Sequence, residues 1–312
     1  MRGLLKPKTL GIILGVLLIT IGSAVILRVP LPSIVLPPEP VTCIGGHLVH
    51  AEHGLECEGG FPLTNSMIGT LVADITLLGL VFLGLRNMSL VPRGLQNVLE
   101  AIIEAGYGVA EDVAGKENAP KFFPLAMSIF LFVLVANWWE LVPGMEAFGW
   151  LVEVHEKGWE AVPLVGNLHM LVRESGHYAI VPWVRTATTD LNLPLALALI
   201  TMVYVQYSGF RALGLGYLKK FINFSGPMDF FVGILESISE VAKIISFTFR
   251  LFGNIFAGTV LLFVMPFLIP LIAPLPFFGL EVFVGFIQAF IFAMLALSFL
   301  STAVIAHDHG EH

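Results

Sequence analysis

The sequence predicts an all-α, polytopic membrane protein. Hydrophobic residues make up 56% of the 312 residues and charged residues only 12%, and the mean hydropathy is +0.87. Soluble domains carry a much larger charged fraction. Apolar runs of roughly 20 residues, the length that a helix needs to cross a bilayer, recur along the chain. The net charge of −7 gives no indication of a nucleic-acid-binding protein, so we use the lysines and arginines to predict topology.

Six segments are long and apolar enough to be transmembrane helices. They lie at about 10–27, 66–85, 122–142, 191–210, 228–264 and 277–305. Four prolines lie between residues 266 and 276, between the last two segments. Proline removes a helix hydrogen bond and clashes with the preceding turn, so we predict two helices here and not one. Both of these C-terminal helices are longer than one perpendicular crossing, so we expect them to be strongly tilted.

The segment 94–113 has a different character from the spans. Apolar residues recur in it at helical spacing, with Glu100, Glu104 and Glu111 on the opposite face. Such an amphipathic segment is predicted to lie along the membrane surface rather than to cross it. Lysines and arginines are concentrated before the first span, between the second and third, and between the fourth and fifth. This bias predicts that both chain termini are cytoplasmic.

Three regions follow from this pattern. Residues 1–28 are predicted to form an N-terminal transmembrane anchor, residues 29–65 an external loop, and residues 66–312 the main membrane domain. Basic residues followed by an apolar core are also typical of a cleaved signal peptide. The absence of a small-x-small site after this core favours a retained anchor, and both alternatives stay open.

The external loop contains the only two cysteines, Cys43 and Cys57. On the oxidising side of a membrane, a disulfide between them is the favoured interpretation. A metal site is the alternative. It would draw on the histidines that lie between the cysteines or in the C-terminal tail, which are His47, His50, His53, His307, His309 and His312. We predict a disulfide-closed loop and a solvated tail, with no bound metal.

The fifth span carries polar side chains on one face. Glu236, Glu240, Lys243, Arg250 and Asn254 are separated by four, three, seven and four residues. Residues at these spacings lie above one another on a helix. The pattern predicts a polar stripe along an otherwise apolar helix.

A second, shorter stripe is predicted on the last span, where Glu281 and Gln288 are seven residues apart. Ionisable side chains at bilayer depth are costly and usually mark an ion pathway. The alternative is a structural ion pair in which Arg250 neutralises Glu281 and holds two helices together. Glu236 is about 20 Å from Arg250 along the helix, too far for a direct bond.

Several motifs resemble subunit a of the F-type ATP synthase. The run FRLFGNIFAG at 249–258 is similar to the arginine signature of that family. Weaker similarities lie in ATTDLNLPLALAL at 187–199, FPLAMSIFLFVLVANWWELVPG at 123–144 and IQAFIFAMLALSFLS at 287–301. The resemblance extends from about residue 66 to the C-terminus. It implies that the two tilted C-terminal helices lie beside a ring of c subunits.

The resemblance also implies site residues. Arg250 matches the essential arginine that separates two aqueous half-channels. The residues implied for the proton path are Glu236, Glu240, Lys243, Ser246, Asn254, Thr259, Glu281, Gln288, Asp190 and Asn192. Two positions depart from the pattern of some bacterial relatives, which have glutamate in place of Thr259 and histidine in place of Glu281. The acid has moved from one helix to the facing one, which keeps a carboxylate in the outer half-channel.

The function implied by the resemblance is that of a stationary, non-catalytic subunit that couples proton translocation to ring rotation and ATP synthesis. Its partners would be the c-ring, the b subunit of the peripheral stalk, the rest of the synthase and the lipid bilayer, in the plasma (inner) membrane of a bacterium. No cofactor is implied. An unrelated secondary ion transporter is the alternative, although the paired repeats typical of such proteins are not visible. The sequence contains neither an H-E-x-x-H motif nor a phosphate-binding loop.

Overall fold

The structure, a computed structural model, contains five helices that are long and apolar enough to cross a membrane within its described residues. Those residues are 15, 38–51, 54–142, 144–165, 168–221, 226–268 and 274–305. The all-α polytopic prediction is therefore confirmed for the membrane part. Nearly all of the predicted first span, His53 and the histidines of the tail lie outside the described residues.

Six long helices follow one another in the described part of the chain. They are α1 Asn65–Leu85, α2 Leu95–Ala114, α3 Ala119–Trp139, α4 Asn192–Leu213, α5 Pro227–Leu268 and α6 Pro274–Val304. The predicted bounds differ from these by up to four residues. Pro266 lies inside α5, only two residues before its end, where the lost backbone donor disturbs the final turn alone. Pro274 begins α6, because the first helical turn does not need its N–H.

The segments before α1 and before α4 form antiparallel hairpins that the sequence analysis did not predict. The strands are β1 Pro40–Ile44, β2 His47–Ala51, β3 Gly54–Glu58, β4 Phe61–Thr64, β5 Gly149–Val165 and β6 Leu168–Pro182. β1 pairs with β4, β2 with β3, and β5 with β6. Leu55, Val152 and Val181 are buried together in a small core, which joins the two hairpin regions.

Two further contacts hold the hairpins together. Trp150 Nε1 on β5 donates a hydrogen bond to the carbonyl oxygen of Val41 on β1, at 3.2 Å. A disulfide joins Cys43 on β1 to Cys57 on β3, with their Cα atoms 5.8 Å apart. The external loop is thus closed by a covalent bond and packed through side chains against β5 and β6.

The chain divides into two compact units. The first comprises Met1–Ile68, Glu140–Arg185 and Ile255–Val284, and the second comprises Gly69–Trp139, Thr186–Asn254 and Gly285–His312. Helices α5 and α6 contribute residues to both. In the second unit, Ala110 and Ala114 of the amphipathic helix α2 are buried together with Phe122 and Ala126 of α3. Small side chains of this kind allow helices to approach closely, while Glu104 on α2 stays exposed.

Candidate functional site

Arg250 lies on the exposed surface of the second unit, near the middle of α5. Its guanidinium forms no ion pair with any carboxylate in the part of the chain that the structure describes. The large side chains of Val241, Ile245 and Phe249, spaced by four residues, are exposed on the same helix. An arginine is therefore presented beside an apolar helix face.

The backbone at Arg250 is held by the last helix. Gln288 of α6 is buried, and its Nε2 atom donates a hydrogen bond of 2.7 Å to the carbonyl oxygen of Arg250. This bond satisfies the Gln288 amide and ties the two helices together where Arg250 stands. The structure thus brings together two of the residues that the sequence placed on separate stripes.

A charged cluster lies further towards the start of α5 in the same unit. Lys220 Nζ is 2.8 Å from Glu236 Oε1 and 3.2 Å from Glu240 Oε1. Lys243 Nζ is 2.9 Å from Glu240 Oε1. Three of these residues belong to the predicted stripe, and Lys220 comes from the segment just after α4. Two cations and two carboxylates therefore neutralise one another.

Polar side chains of α4 and the following turn extend this cluster. Gln206 Nε2 donates to Glu240 Oε2 at 3.1 Å, and the Tyr217 hydroxyl donates to Gln206 Oε1 at 2.9 Å. Burial by itself would lower the pKa of Lys220, but the hydrogen bonds and charges of Glu236 and Glu240 hold that pKa above its ordinary value. Lys220 therefore stays charged. From the sequence, it contributed only to the prediction of which side of the membrane is cytoplasmic.

The other residues implied for the proton path in this unit have fewer contacts. Ser246 is exposed and Asn254 is partly buried. Asp190 and Asn192 lie at the start of α4, where Asp190 Oδ1 accepts hydrogen bonds from the Asn192 backbone N at 3.1 Å and from its Nδ2 at 3.0 Å. These bonds form a local turn at the residues where α4 begins, which is a local structural role.

The first unit contains a separate group of acidic side chains. Glu140 directly follows α3, and its Oε1 accepts a hydrogen bond from the Thr259 hydroxyl. Burial, assisted by the charges of Glu281 and Glu146, raises the pKa of Glu140 to about 8, although the Thr259 hydrogen bond and the charge of Arg185 oppose this. Glu140 therefore changes its protonation state near neutral pH.

Glu281 belongs to the same unit and lies against α5. It is 6% exposed, and a Cβ atom added to Gly258 would overlap its carboxylate. Only glycine leaves room for this acid at position 258. The space beside Gly258 is thus occupied by the Glu281 carboxylate.

A cavity of about 320 Å³ adjoins this acidic group. Glu140, Glu146 and Thr259 supply its polar lining, and Leu262, Phe263 and Phe278 are among its apolar walls. The Oε1 atom of Glu146 is buried without a hydrogen-bond partner among the described protein atoms. Burial raises the pKa of Glu146, and the charge of Arg185 opposes this rise. A cavity of this size has room for several water molecules, and its few polar groups supply hydrogen-bond partners for them.

Sequence reasoning missed Glu140 and Glu146. Neither lies on a helical stripe, because both follow the end of α3. The available signal was the run WWELVPGME at 138–146, in which two acids stand directly after an apolar span. Among the histidines that the alternative metal site would use, His47 is exposed and its Nε2 is 3.7 Å from Glu58 Oε2. Within the described segments, the structure contains no group of three metal-ligating side chains.

Comparison with known proteins agrees with these motifs. The family model described as ATP synthase A chain matches residues 67–301. Proteins named ATP synthase subunit a are similar over most of this chain. The one from Moorella thermoacetica is 30% identical over 250 residues, covering 80% of this chain and 94% of the relative. The one from Nitratiruptor sp. is 33% identical over 231 residues, covering 73% and 84%. The one from Helicobacter pylori strain Shi470 is 34% identical over 244 residues, covering 77% and 89%.

The match covers the arginine motif, both acidic groups and all five long apolar helices. Family membership also removes the alternative of an unrelated secondary transporter. The chain belongs to the ATP synthase A chain family, the proton-translocating membrane subunit of the synthase.

Proposed function

We propose that this chain is the stationary subunit that forms two aqueous half-channels beside a rotating ring of c subunits. Its role is to couple proton flow to ring rotation and thus to ATP synthesis. The observation that carries the proposal is the exposed guanidinium of Arg250, which has no ion-pair partner within the described part of the chain and stands on a spanning helix. A permanent charge in that position is costly unless another chain supplies the countercharge.

The chemistry of such a partner follows from the arginine. A carboxylic acid that crosses lipid must be neutral, because an unpaired carboxylate in hydrocarbon is very costly. When that acid faces Arg250, the nearby positive charge lowers its pKa and releases its proton. Since arginine itself does not deprotonate, it cannot pass a proton across. Protons must therefore travel with the ring, driven by about 2.3 kcal/mol per charge for each 100 mV of membrane potential.

We assign the cavity at Glu140 and Thr259 to the outer half-channel, with Glu281 as a second acid there. The first unit, which contains this cavity, also contains the Cys43–Cys57 disulfide. Disulfides persist on the oxidising side of a membrane, which supports an outer location for this unit's exposed loops. As the resemblance implies, Gln288 and Asn254 would also take part in delivering protons from the outer side to the ring.

We assign the cluster of Lys220, Glu236, Glu240 and Lys243 to the inner half-channel. The chain near it is rich in basic residues, with Arg211, Lys219 and Lys220 in ten positions. Such clusters are typical of the cytoplasmic side. The paired carboxylates would make the exit polar, and Ser246 would line the path from Arg250.

The remaining expectations belong to the same proposal. The partners are the c-ring and the b subunit of the peripheral stalk, and the location is the inner membrane of a bacterium with both termini in the cytoplasm. Residues 1–28 would be a retained anchor and residues 29–65 an external loop ahead of the main domain at 66–312.

Substituting Arg250→Ala tests the proposal. In membrane vesicles that contain the assembled synthase, we expect ATP-driven proton pumping to be lost, because nothing then holds the ring acid in its ionised form. Passive proton conductance under an imposed membrane potential should persist or increase. The matched control is Arg86→Ala, which removes an exposed arginine outside both sites. Normal pumping by Arg250→Ala would reject the proposed role.

A further inference from the structure

A second cavity, of about 460 Å³, lies in the second unit at the ends of three spanning helices. Its lining includes Lys121 near the start of α3, Arg211 near the end of α4, and Val304 at the end of α6. Because helices of this length end where the hydrocarbon ends, the cavity is at the boundary between membrane and water.

The lining of this cavity is cationic and rich in donors. Lys121 and Arg211 are both exposed, and neither forms an ion pair with a described carboxylate. Tyr204, Tyr207 and Ser208, which carry hydroxyl groups, also belong to the lining, and the lining contains no acidic residue. Two positive charges and hydroxyl-bearing residues around one cavity suit a phosphate group.

The cationic side chains are also positioned by their neighbours. Lys121 Nζ donates to Asn118 Oδ1 at 3.3 Å, and the Tyr204 hydroxyl donates to the carbonyl oxygen of Lys121 at 3.3 Å. These bonds hold the first turn of α3 against α4 without using a negative charge. The charge of the cavity therefore remains uncompensated within the described residues.

An apolar surface continues from the cavity along α4. Val203, Tyr207 and Phe210 are 66%, 55% and 41% exposed, and their spacing of four and three residues places them on one helix face. Tyr207 belongs both to this face and to the cavity lining. A ligand with a phosphate head and acyl chains would contact both surfaces, whereas free phosphate would use only the first.

We propose that this cavity binds the headgroup of an anionic phospholipid, with its acyl chains along the exposed face of α4. Basic pockets between transmembrane helices near the cytoplasmic surface recognise such headgroups. The site would anchor the junction of α3, α4 and α6 to the lipid leaflet. Its lining includes none of the residues assigned to proton transfer.

The test is native mass spectrometry of the purified full chain in detergent. The probes are dioleoylphosphatidylglycerol, dioleoylphosphatidylcholine and inorganic phosphate, each added alone and in competition. We expect one phosphatidylglycerol to remain bound per chain, in preference to phosphatidylcholine. In the double variant K121Q/R211Q, its affinity should fall roughly 25-fold, since each cation near an anionic lipid contributes about fivefold.

Two matched variants define the outcome. R86Q/R93Q removes two arginines that do not line the cavity, and it should bind phosphatidylglycerol like the wild type. K121R/R211K keeps both charges and should also retain binding, and an unchanged thermal unfolding midpoint of K121Q/R211Q would show that this variant is folded. The proposal is overturned by equal affinity in K121Q/R211Q and wild type, by equal binding of the two lipids, or by inorganic phosphate displacing phosphatidylglycerol from the chain.

Discussion

Replacing Glu140 by glutamine removes one titrating group from the cavity that follows α3 while preserving its shape. The pKa of Glu140 is raised to about 8, so its protonated fraction falls from about 0.9 at pH 7 to about 0.1 at pH 9. In the wild type, we expect proton uptake from the outer side to decline across this interval as the acid empties. In Glu140→Gln, uptake should be several times slower at pH 7, and the part of the pH dependence centred near pH 8 should be lost.

The assay imposes a fixed potassium diffusion potential on vesicles with a defined orientation and measures proton flux while the pH on the outer side is varied. Infrared difference spectroscopy provides a direct check, because the C=O band of a protonated carboxyl should disappear near pH 8 in the wild type and be missing in Glu140→Gln. Glu104→Gln is the control, since Glu104 is exposed on α2 and outside the cavity. An unchanged band and an unchanged pH profile in Glu140→Gln would refute the assigned role.

The same titration has a consequence for stability. A raised pKa means that the folded protein binds this proton more tightly than the unfolded chain does. The contribution is therefore fully present below about pH 4.5 and is lost as the pH rises through about 8. The cost of ionising Glu140 is at most about 5 kcal/mol. Glu140→Gln should unfold with a weaker dependence on pH in this range, measured as the midpoint of thermal unfolding.

Three further predictions concern other contacts. Gly258→Ala should slow proton flux at least severalfold, because the added Cβ overlaps the Glu281 carboxylate. The control Gly279→Ala on α6 should leave the flux unchanged, since its Cβ would meet no atom within 4 Å. Equal fluxes in the two variants would contradict the packing argument. Lys220→Gln should slow proton release to the inner side and lower the thermal unfolding midpoint by a few degrees, because it leaves Glu236 and Glu240 with one cation. The contribution of these ion pairs to stability should persist at neutral pH and be lost only when the pH rises above the ordinary pKa of lysine. Lys116→Gln, which changes an exposed lysine, is the control. Reducing the Cys43–Cys57 bond should destabilise the external hairpins by about 3 kcal/mol for a closed loop of this size, seen as faster proteolysis before α1, and proton flux should stay unchanged.

The sequence could predict the features that depend on local periodicity. The length of the apolar runs predicted the five membrane-capable helices within the described residues. The helical spacing of polar residues predicted that Glu236, Glu240 and Lys243 share one face, and these residues do meet in one cluster. The hairpins before α1 and α4 were not predicted. β5 and β6 contain several charged residues and glycines, so they lack the clean alternation that indicates a strand. The pairing of β5 with β6 depends on contacts between the two strands, which the sequence of one strand does not show.

Contacts made to the two polar stripes by residues from other elements were equally hard to predict. Lys220 is 20 residues from Glu240, and Thr259 is 119 residues from Glu140. Helical spacing compares residues within one element, so it gives no information on which loop will approach that element. The two acids after α3 were visible in the sequence, but an acid at the end of an apolar span is more often a solvated side chain than part of a functional site. Only the fold shows that Glu140 is turned into a cavity.

The position of the acids illustrates what this part of the protein requires. The resemblance to subunit a implies that some bacterial relatives have a glutamate at the place of Thr259 and a histidine at the place of Glu281. The hydroxyl of Thr259 still participates, since it donates to Glu140, while the carboxylate of Glu281 occupies the space that Gly258 leaves free. In the proposed mechanism, proton uptake needs a titratable group that changes its protonation state near the outer pH and has access to water, and more than one position around the cavity could carry that group. The constraint would then fall on the cavity and its electrostatics, whereas Arg250 would have to hold a fixed position in order to face a ring acid that passes at one depth.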